Sequence, residues 1–327
     1  MPYTRTEYLD TLYSTTWQIR KPKVVEQQFV ATPFWLFLSR KNHMTFQKGG
    51  RFIEQRLSYA KNDTVKFISK GGKVSLDKKE TQTVAWYNWK MAVVNITRYY
   101  FDDLQNTGEA AVQSMVTNDL DNARDSMIDR FEEVLFADGT ADSNQAFDGL
   151  KNLIQTAPSS NPTSGAVGGV DASNDWWRNQ FIDMASYTAS VYLIKKMRNL
   201  YNTCGKYSKG TKRFPTFIVT DQTTHELYED EALEIYRIVD DKQLVDLGMG
   251  DLKFKGMPMV WSPSCTAGYL YMLNMDDFYF IAHPDCYFDM TAWKQVPDQQ
   301  DRFAQITVMG NIGIANRRRS GVMFGIA

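Results

Sequence analysis

Apolar positions along the chain change texture several times. Up to about residue 35 they are scattered, and Pro2, Pro22 and Pro33 interrupt any helical run, so this segment reads as an extended arm. From residue 49 to about 100, two β-rich runs at 51–57 and 83–89 flank a charged stretch. The turn signal Lys70-Gly71-Gly72-Lys73 lies between them, which predicts a long hairpin. The middle of that hairpin, Lys61-Asn62-Asp63-Thr64-Val65-Lys66, is too polar to carry a core, so it needs a partner surface. Between residues 106 and 137, Val112, Met115, Val116, Leu120, Ala123, Met127, Phe131, Val134 and Leu135 recur at three- and four-residue steps. Asp121, Asp125, Asp129 and Glu132 fall largely elsewhere, Asn106 and Glu109 resemble a capping box, and Gly139 is a stop. This spacing predicts a spine helix of about 45 Å, at about 1.5 Å per residue.

Residues 157–175, with Pro158, Pro162, Gly165, Gly168 and Gly169 among Ser and Asn, read as a long loop between two regions. Beyond it the pattern predicts a helix near 183–203 carrying Met184, Val191, Tyr192 and Leu200, a strand at 214–220 and a helix near 222–238. Two hairpin-like runs, 252–261 and 269–274, precede a strand at 278–281, and Gly256 reads as a turn residue needing positive φ. Strands and helices do not alternate regularly, which favours an α+β module over a doubly wound sheet. The last strand, 305–315, is too long and glycine-spaced for that module and returns to the first region.

Composition narrows the function classes. Among 327 residues, 37 Lys and Arg balance 38 Asp and Glu; the net charge of -1 excludes wholesale electrostatic binding of nucleic acid. No signal-peptide pattern opens the chain, which predicts synthesis in a cytoplasm, and no run of about 18 apolar residues implies a membrane span. Cys204, Cys265 and Cys286 are odd in number and widely spaced, which argues for buried thiols over disulfides or a metal site.

Catalytic signatures are missing: there is no Gly-x-Ser-x-Gly, no phosphate loop, no dinucleotide fingerprint and no His-Glu-x-x-His. His225, beside Glu226, Glu229 and Asp230, is the one place to look for a metal-dependent enzyme, but no second His or Cys lies at ligand spacing. Asp138, Asp142 and Asn144 lack the Gly and Glu that a calcium loop needs and read as the turn that stops the spine helix. Arg317-Arg318-Arg319 is the densest basic run; inter-subunit salt bridges or a solvated face are favoured over phosphate contact. The aromatic clusters at 86–89, 99–101 and 176–177 lack interleaved basic residues, which points to core or subunit-interface packing. No catalytic residue, cofactor or metal is expected. An arm, an outstretched hairpin and a spine helix, all extending from their own core, are what a subunit of a large assembly needs.

The order of these parts resembles the major capsid proteins of tailed double-stranded DNA bacteriophages, the Hong Kong 97-type shell fold. The matching segments are the hairpin after Gly49-Gly50-Arg51, the helix ending at 133–140, and Gly168-Gly169-Val170-Asp171-Ala172-Ser173 leading into Trp177-Arg178-Asn179. Residues 254–261, Leu273-Asn274, Gly310-Asn311-Ile312 and Asn316-Arg317-Arg318-Arg319-Ser320-Gly321 follow in the same order. The resemblance implies an N-terminal arm at 1–40, an extended loop at 41–100, a peripheral domain at 101–175 with the spine helix, an axial domain at 176–290 and a return to the peripheral domain at 291–327. It further implies hexamers and pentamers of this chain in an icosahedral capsid, assembled as a procapsid in the bacterial host cytoplasm and expanding during packaging. The expected partners are a separate scaffolding protein, a portal protein, in some lattices a decoration protein, and packaged DNA held non-specifically. Inter-subunit contacts are expected at Arg51, Arg56, Lys61, Lys66, Lys70, Lys73, Trp177, Arg178, Arg317, Arg318 and Arg319. No motif marks the Asn and Glu needed for a Lys–Asn cross-link, so none is expected. An encapsulin-like nanocompartment shell, which shares the fold, is the alternative.

Overall fold

The computed structural model describes residues 31–39, 43–73, 78–101, 115–158, 166–171, 173–206, 214–236, 253–295 and 301–327. The elements of the first half are α1 (Pro33–Leu38), β1 (Met44–Phe46), β2 (Ile53–Ser58), β3 (Gln82–Tyr87), β4 (Lys90–Arg98), α2 (Met115–Leu135), α3 (Leu150–Leu153), β5 (Ala166–Val167) and β6 (Val170–Asp171). The second half adds β7 (Gln180–Asp183), α4 (Ala189–Lys206), β8 (Phe217–Thr220), α5 (Gln222–Tyr236), β9 (Lys253–Phe254) and β10 (Met257–Trp261). It ends with β11 (Leu270–Leu273), β12 (Phe278–Met290), β13 (Lys294–Gln295), β14 (Arg302–Ile314) and β15 (Gly321–Phe324). The chain divides into two compact units. The larger takes Ala31–Met91, Phe131–Asp285 and Met309–Ala327; the smaller includes Ala92–Arg130 and Cys286–Val308.

In the larger unit a six-stranded mixed sheet runs in the order β7-β15-β11-β8-β10-β9. Its middle strand β8, Phe-Ile-Val-Thr, is buried at every position, as expected of a strand covered on both faces. β8 and β10 are parallel and joined through α5, a crossover that a parallel pair requires, whereas β11 lies antiparallel to both β8 and β15. The two hairpin-like runs therefore part company. Only 252–261 is a hairpin, β9 pairing with β10 around Lys255 and Gly256 at φ +49° and +81°. The positive φ expected at Gly256 is present.

One face of this sheet packs on α4. Leu193, Met197, Leu200 and Cys204, spaced four, three and four residues apart, are buried against Ile218, Met259, Leu270, Met272 and Met323. The helix expected from residue 183 starts six residues later. Of the apolar residues named for this helix, Leu200 is buried while Val191 and Tyr192 are exposed, because the buried stripe is set by Leu193.

A second departure concerns the arm. Residues 1–30, and the capping pair Asn106 and Glu109, lie outside the described residues. Residues 33–38 form a helix rather than an extended segment, with Pro33 at its start, where the absent N–H costs nothing. Phe34, Trp35 and Leu38 are buried, Phe34 stacking near Phe136 and Phe217 and Trp35 against Phe131 and Phe280. The carboxylate of Glu132, fully buried on α2, accepts the backbone N–H groups of Phe34 (3.2 Å) and Trp35 (2.6 Å) and the Ser262 hydroxyl (2.7 Å). Two otherwise unpaired amides of α1 thus meet the charge that suits a helix N-terminus.

Within the span expected for the spine helix, α2 runs from Met115 to Leu135, the positions from 106 to 114 lying outside the described residues, and it ends shortly before Gly139 at φ +80°. Asp142, Ser143 and Asn144 follow with left-handed backbone, so this segment is the turn the sequence suggested. In the smaller unit, β4 and β13 flank β14, and Ala304, Ile306 and Val308 point inward on alternate positions of β14. Among the described side chains of α2 in this unit, Ala123 and Met127 are buried.

Candidate assembly surface

The extended hairpin leaves the larger unit as the paired strands β2 and β3, in register from Ile53 opposite Tyr87 to Ser58 opposite Gln82. Alternation turns Ile53, Leu57, Ala85 and Tyr87 inward. The phenol of Tyr87 donates to the carbonyl of Ile314 (3.1 Å), and burial raises its pKa. The next residue, Asn88, offers its carbonyl to the side-chain amide of Asn311 (2.8 Å). Asn311 also donates to Asp148 Oδ2 (2.8 Å) and accepts the Asp148 N–H (3.0 Å). Burial raises the Asp148 pKa, opposed by its hydrogen bonds to Asn311 and Asn152 and by the charge of Lys90.

Arg317 completes the base. It is only 2 % exposed, donates to the Leu153 carbonyl (2.7 Å) and Asn179 Oδ1 (3.2 Å), and its guanidinium lies 5.9 Å from the Trp177 ring centre. Burial pulls its pKa down to about 10. Asn179 in turn bonds the backbone of Gln155 on both sides, accepting its N–H (3.0 Å) and donating to its carbonyl (2.8 Å).

Beyond Ser58 the ladder stops. One bond from the Tyr59 amide to the Thr81 carbonyl continues it, and the rest of the described tip holds itself by short-range contacts. Asn62 accepts from the Thr64 amide and hydroxyl, and Lys79 pairs with Asp63 at 3.6 Å. The expected turn at 70–73 carries a bond from the Gly72 amide to Ser69. Three large apolar side chains stand in water here: Phe67 is fully exposed, Val65 82 % and Ile68 51 %. Arg51, Arg56, Lys61, Lys66, Lys70 and Lys73 are all exposed, as a contact surface requires.

Other expected contact residues bond within their own chain. Arg317 and Trp177 are buried inside their own chain, where the Trp177 indole donates to the Val167 carbonyl (2.8 Å); neither offers itself to a neighbour as expected. Arg319 pairs with the nearly buried Asp277 (3.2 Å), and Arg178 with Asp175 and the Ser173 carbonyl. Arg318 is half-buried; its amide is accepted by Asn316. The basic run is thus a short 3-10 turn that closes its own fold, because Asn316 caps it and the main chain points Arg317 inward. Glu132 at α1, and Asp148, Asn179 and Asn311 near the hairpin base, are polar groups whose buried roles the sequence does not mark, and Glu132, expected off the apolar face of the spine helix, is fully buried. Their partners lie up to 223 residues away, and no local pattern marks such pairs.

Cys204 and Cys265 are buried, with pKa raised by desolvation, and Cys286 is half-buried beside Thr307. His225 is half-buried, and burial lowers its pKa against the pull of Glu229. Among the described residues no group of three or more His, Cys, Asp or Glu could hold a metal ion, and no helix is long and apolar enough to cross a membrane.

No protein-family model and no curated protein matches the sequence. Solved structures do. The capsid asymmetric unit of cyanophage A-1(L) superimposes with a TM-score of 0.68 at 19 % identity, covering 93 % of this chain and 95 % of that one. The capsid of a native GTA particle gives 0.61 at 8 % identity, covering 94 % and 95 %. The holo-SrpI encapsulin complex from Synechococcus elongatus PCC 7942 gives 0.57 at 11 % identity, covering 94 % of each chain. The chain has the fold these shells share.

Proposed function

We propose, on the premise of this Hong Kong 97-type shell fold, that the chain is the major capsid protein of a tailed bacteriophage. It is the structural subunit of an icosahedral shell of hexamers and pentamers around double-stranded DNA, and not an enzyme. The observation that carries the reading is the hairpin: a base held by hydrogen bonds bears a tip on which Val65 and Phe67 stand exposed and Ile68 half-exposed among the described residues. Such a tip gains burial only on another copy, at about 25 cal/mol per Å2 of apolar surface removed from water. Lys61, Lys66, Lys70 and Lys73 around it, with Arg51 and Arg56 nearer the base, suit the acidic surface of a neighbouring copy. Five of the six acidic side chains of α2, Asp119, Asp121, Asp125, Asp129 and Glu133, lie outside the core and are candidates to meet them.

The partners are other copies of this chain, a scaffolding protein, a portal protein and in some lattices a decoration protein. Assembly takes place in the host cytoplasm, and the virion is the destination. The near-zero net charge suits a shell that must let DNA slide past its inner face.

The test is electron microscopy of the full chain, expressed alone and with its neighbouring genes, beside a variant lacking residues 58–78. Closed shells from the parent and soluble, folded, unassembled subunits from the deletion are expected. Normal shells from the deletion would remove the role of the tip, and a monomer from the parent under every condition would remove the shell reading. Particles that carry protein and no nuclease-protected DNA would favour the nanocompartment instead.

A further inference from the structure

The direction in which the hairpin leaves its unit is set by a contact at β3. The Trp86 amide, on the side of β3 away from β2, donates to the Gly168 carbonyl at 2.9 Å. Gly168 and Gly169 form the two-residue turn between β5 and β6, at φ +64° and +74°. That turn is itself fixed, since the buried Trp177 indole holds the Val167 carbonyl just before it.

The two glycines do more than permit the turn. A Cβ on Gly168 would stand 3.0 Å from the Cβ of Ala85 and 3.2 Å from the ring of Tyr87. The Ala85 Cβ is bonded to the main chain of β3, and Tyr87 is tied to Ile314, so neither can swing aside without moving the strand. A Cβ on Gly169 would fall 2.2 Å from Nε1 of Trp86, whose indole is half out in water and has somewhere to go. One glycine therefore faces an immovable neighbour and the other a movable one.

We propose that the Gly168–Gly169 turn is the seat of the extended hairpin. The space left by its two missing side chains sets the angle of β2 and β3, and through it the curvature of the lattice the tip joins. The link to curvature rests on the shell reading; the seat does not.

Asparagine separates a seat from an ordinary turn, because it tolerates left-handed backbone while adding a Cβ. The experiment compares the full chain with Gly168→Asn, Gly169→Asn, Trp86→Ala and the pair Gly169→Asn with Trp86→Ala. Amide hydrogen exchange is read on unassembled subunits and particle diameter by electron microscopy. Gly168→Asn should exchange faster across residues 82–87 by about tenfold or more and give particles of mixed diameter. Gly169→Asn should show the same in weaker form, and removing the indole should return the pair to the exchange and diameter of Trp86→Ala alone. Unchanged exchange at 82–87 in both asparagine variants would overturn the seat, whether or not particles form. If Gly168→Asn does not fold, the Gly169 and Trp86 pair decides, and absence of rescue there overturns the proposal. A parent without particles would fail the shell reading and leave the exchange result standing on its own.

Discussion

The two ends of the hairpin are built on opposite terms. At the base, inward-facing Ile53, Leu57, Ala85 and Tyr87 and the bonds from Tyr87 to Ile314 and from Asn311 to Asn88 tie it to distant segments of the larger unit. At the tip, Phe67 and Val65 stand almost wholly in water and Ile68 about half so, and the described hydrogen bonds reach only a few residues or across the stem. Stability and contact surface are therefore separated along one element. The base should govern folding and the tip association, and mutations should sort accordingly.

The largest loss is expected from Tyr87→Ala, which removes a buried ring and its bond to Ile314; about 3–5 kcal/mol should be lost in denaturant unfolding. Asn311→Ala leaves the Asn88 carbonyl and a buried Asp148 carboxylate short of a donor, and about 1–3 kcal/mol is expected by the same measurement. Asp148 sharpens the contrast through pH. Its pKa is raised by burial, so the folded chain binds its proton more readily than the unfolded one. Its contribution is fully present below the ordinary value of 3.8 and is lost as pH rises through the raised folded value. Asp148→Asn should flatten this part of the pH–stability curve, while the other carboxylates still set the overall acid limit. The smallest change in stability belongs to the tip: Phe67→Ser with Ile68→Ser should move unfolding by less than about 0.5 kcal/mol and yet reduce shell yield in electron microscopy. A large loss of stability in that pair would erase the distinction between the two ends.

Elements carried by local periodicity were legible in the sequence. The heptad-like spacing of Ala123, Met127, Phe131, Val134 and Leu135 announces α2, and the alternation in 51–57 and 83–89 announces the hairpin stem. Exposure of the tip lysines followed from composition alone. The base was illegible for a physical reason: Glu132, Asp148, Asn179 and Asn311 are polar residues whose burial depends on partners distant in the chain. Arg317 was misread on the same ground, since a basic triplet looks solvated until a carbonyl and an amide are brought to it. Helix α1 escaped because six residues beginning with proline give too short a period to distinguish from an arm.

The spacing between Tyr87 and Ile314, 227 residues, has a temporal meaning. A ribosome makes the hairpin long before it makes the strand that locks its base, so a growing chain exposes its tip on an unsecured stem. Joining such a stem to a lattice would cost the order that its bonds to Asn311 and Ile314 later supply. On the shell reading proposed above, the fold therefore carries its own clock: competence to associate would arrive with Asn311 and Ile314, long after the tip itself is made.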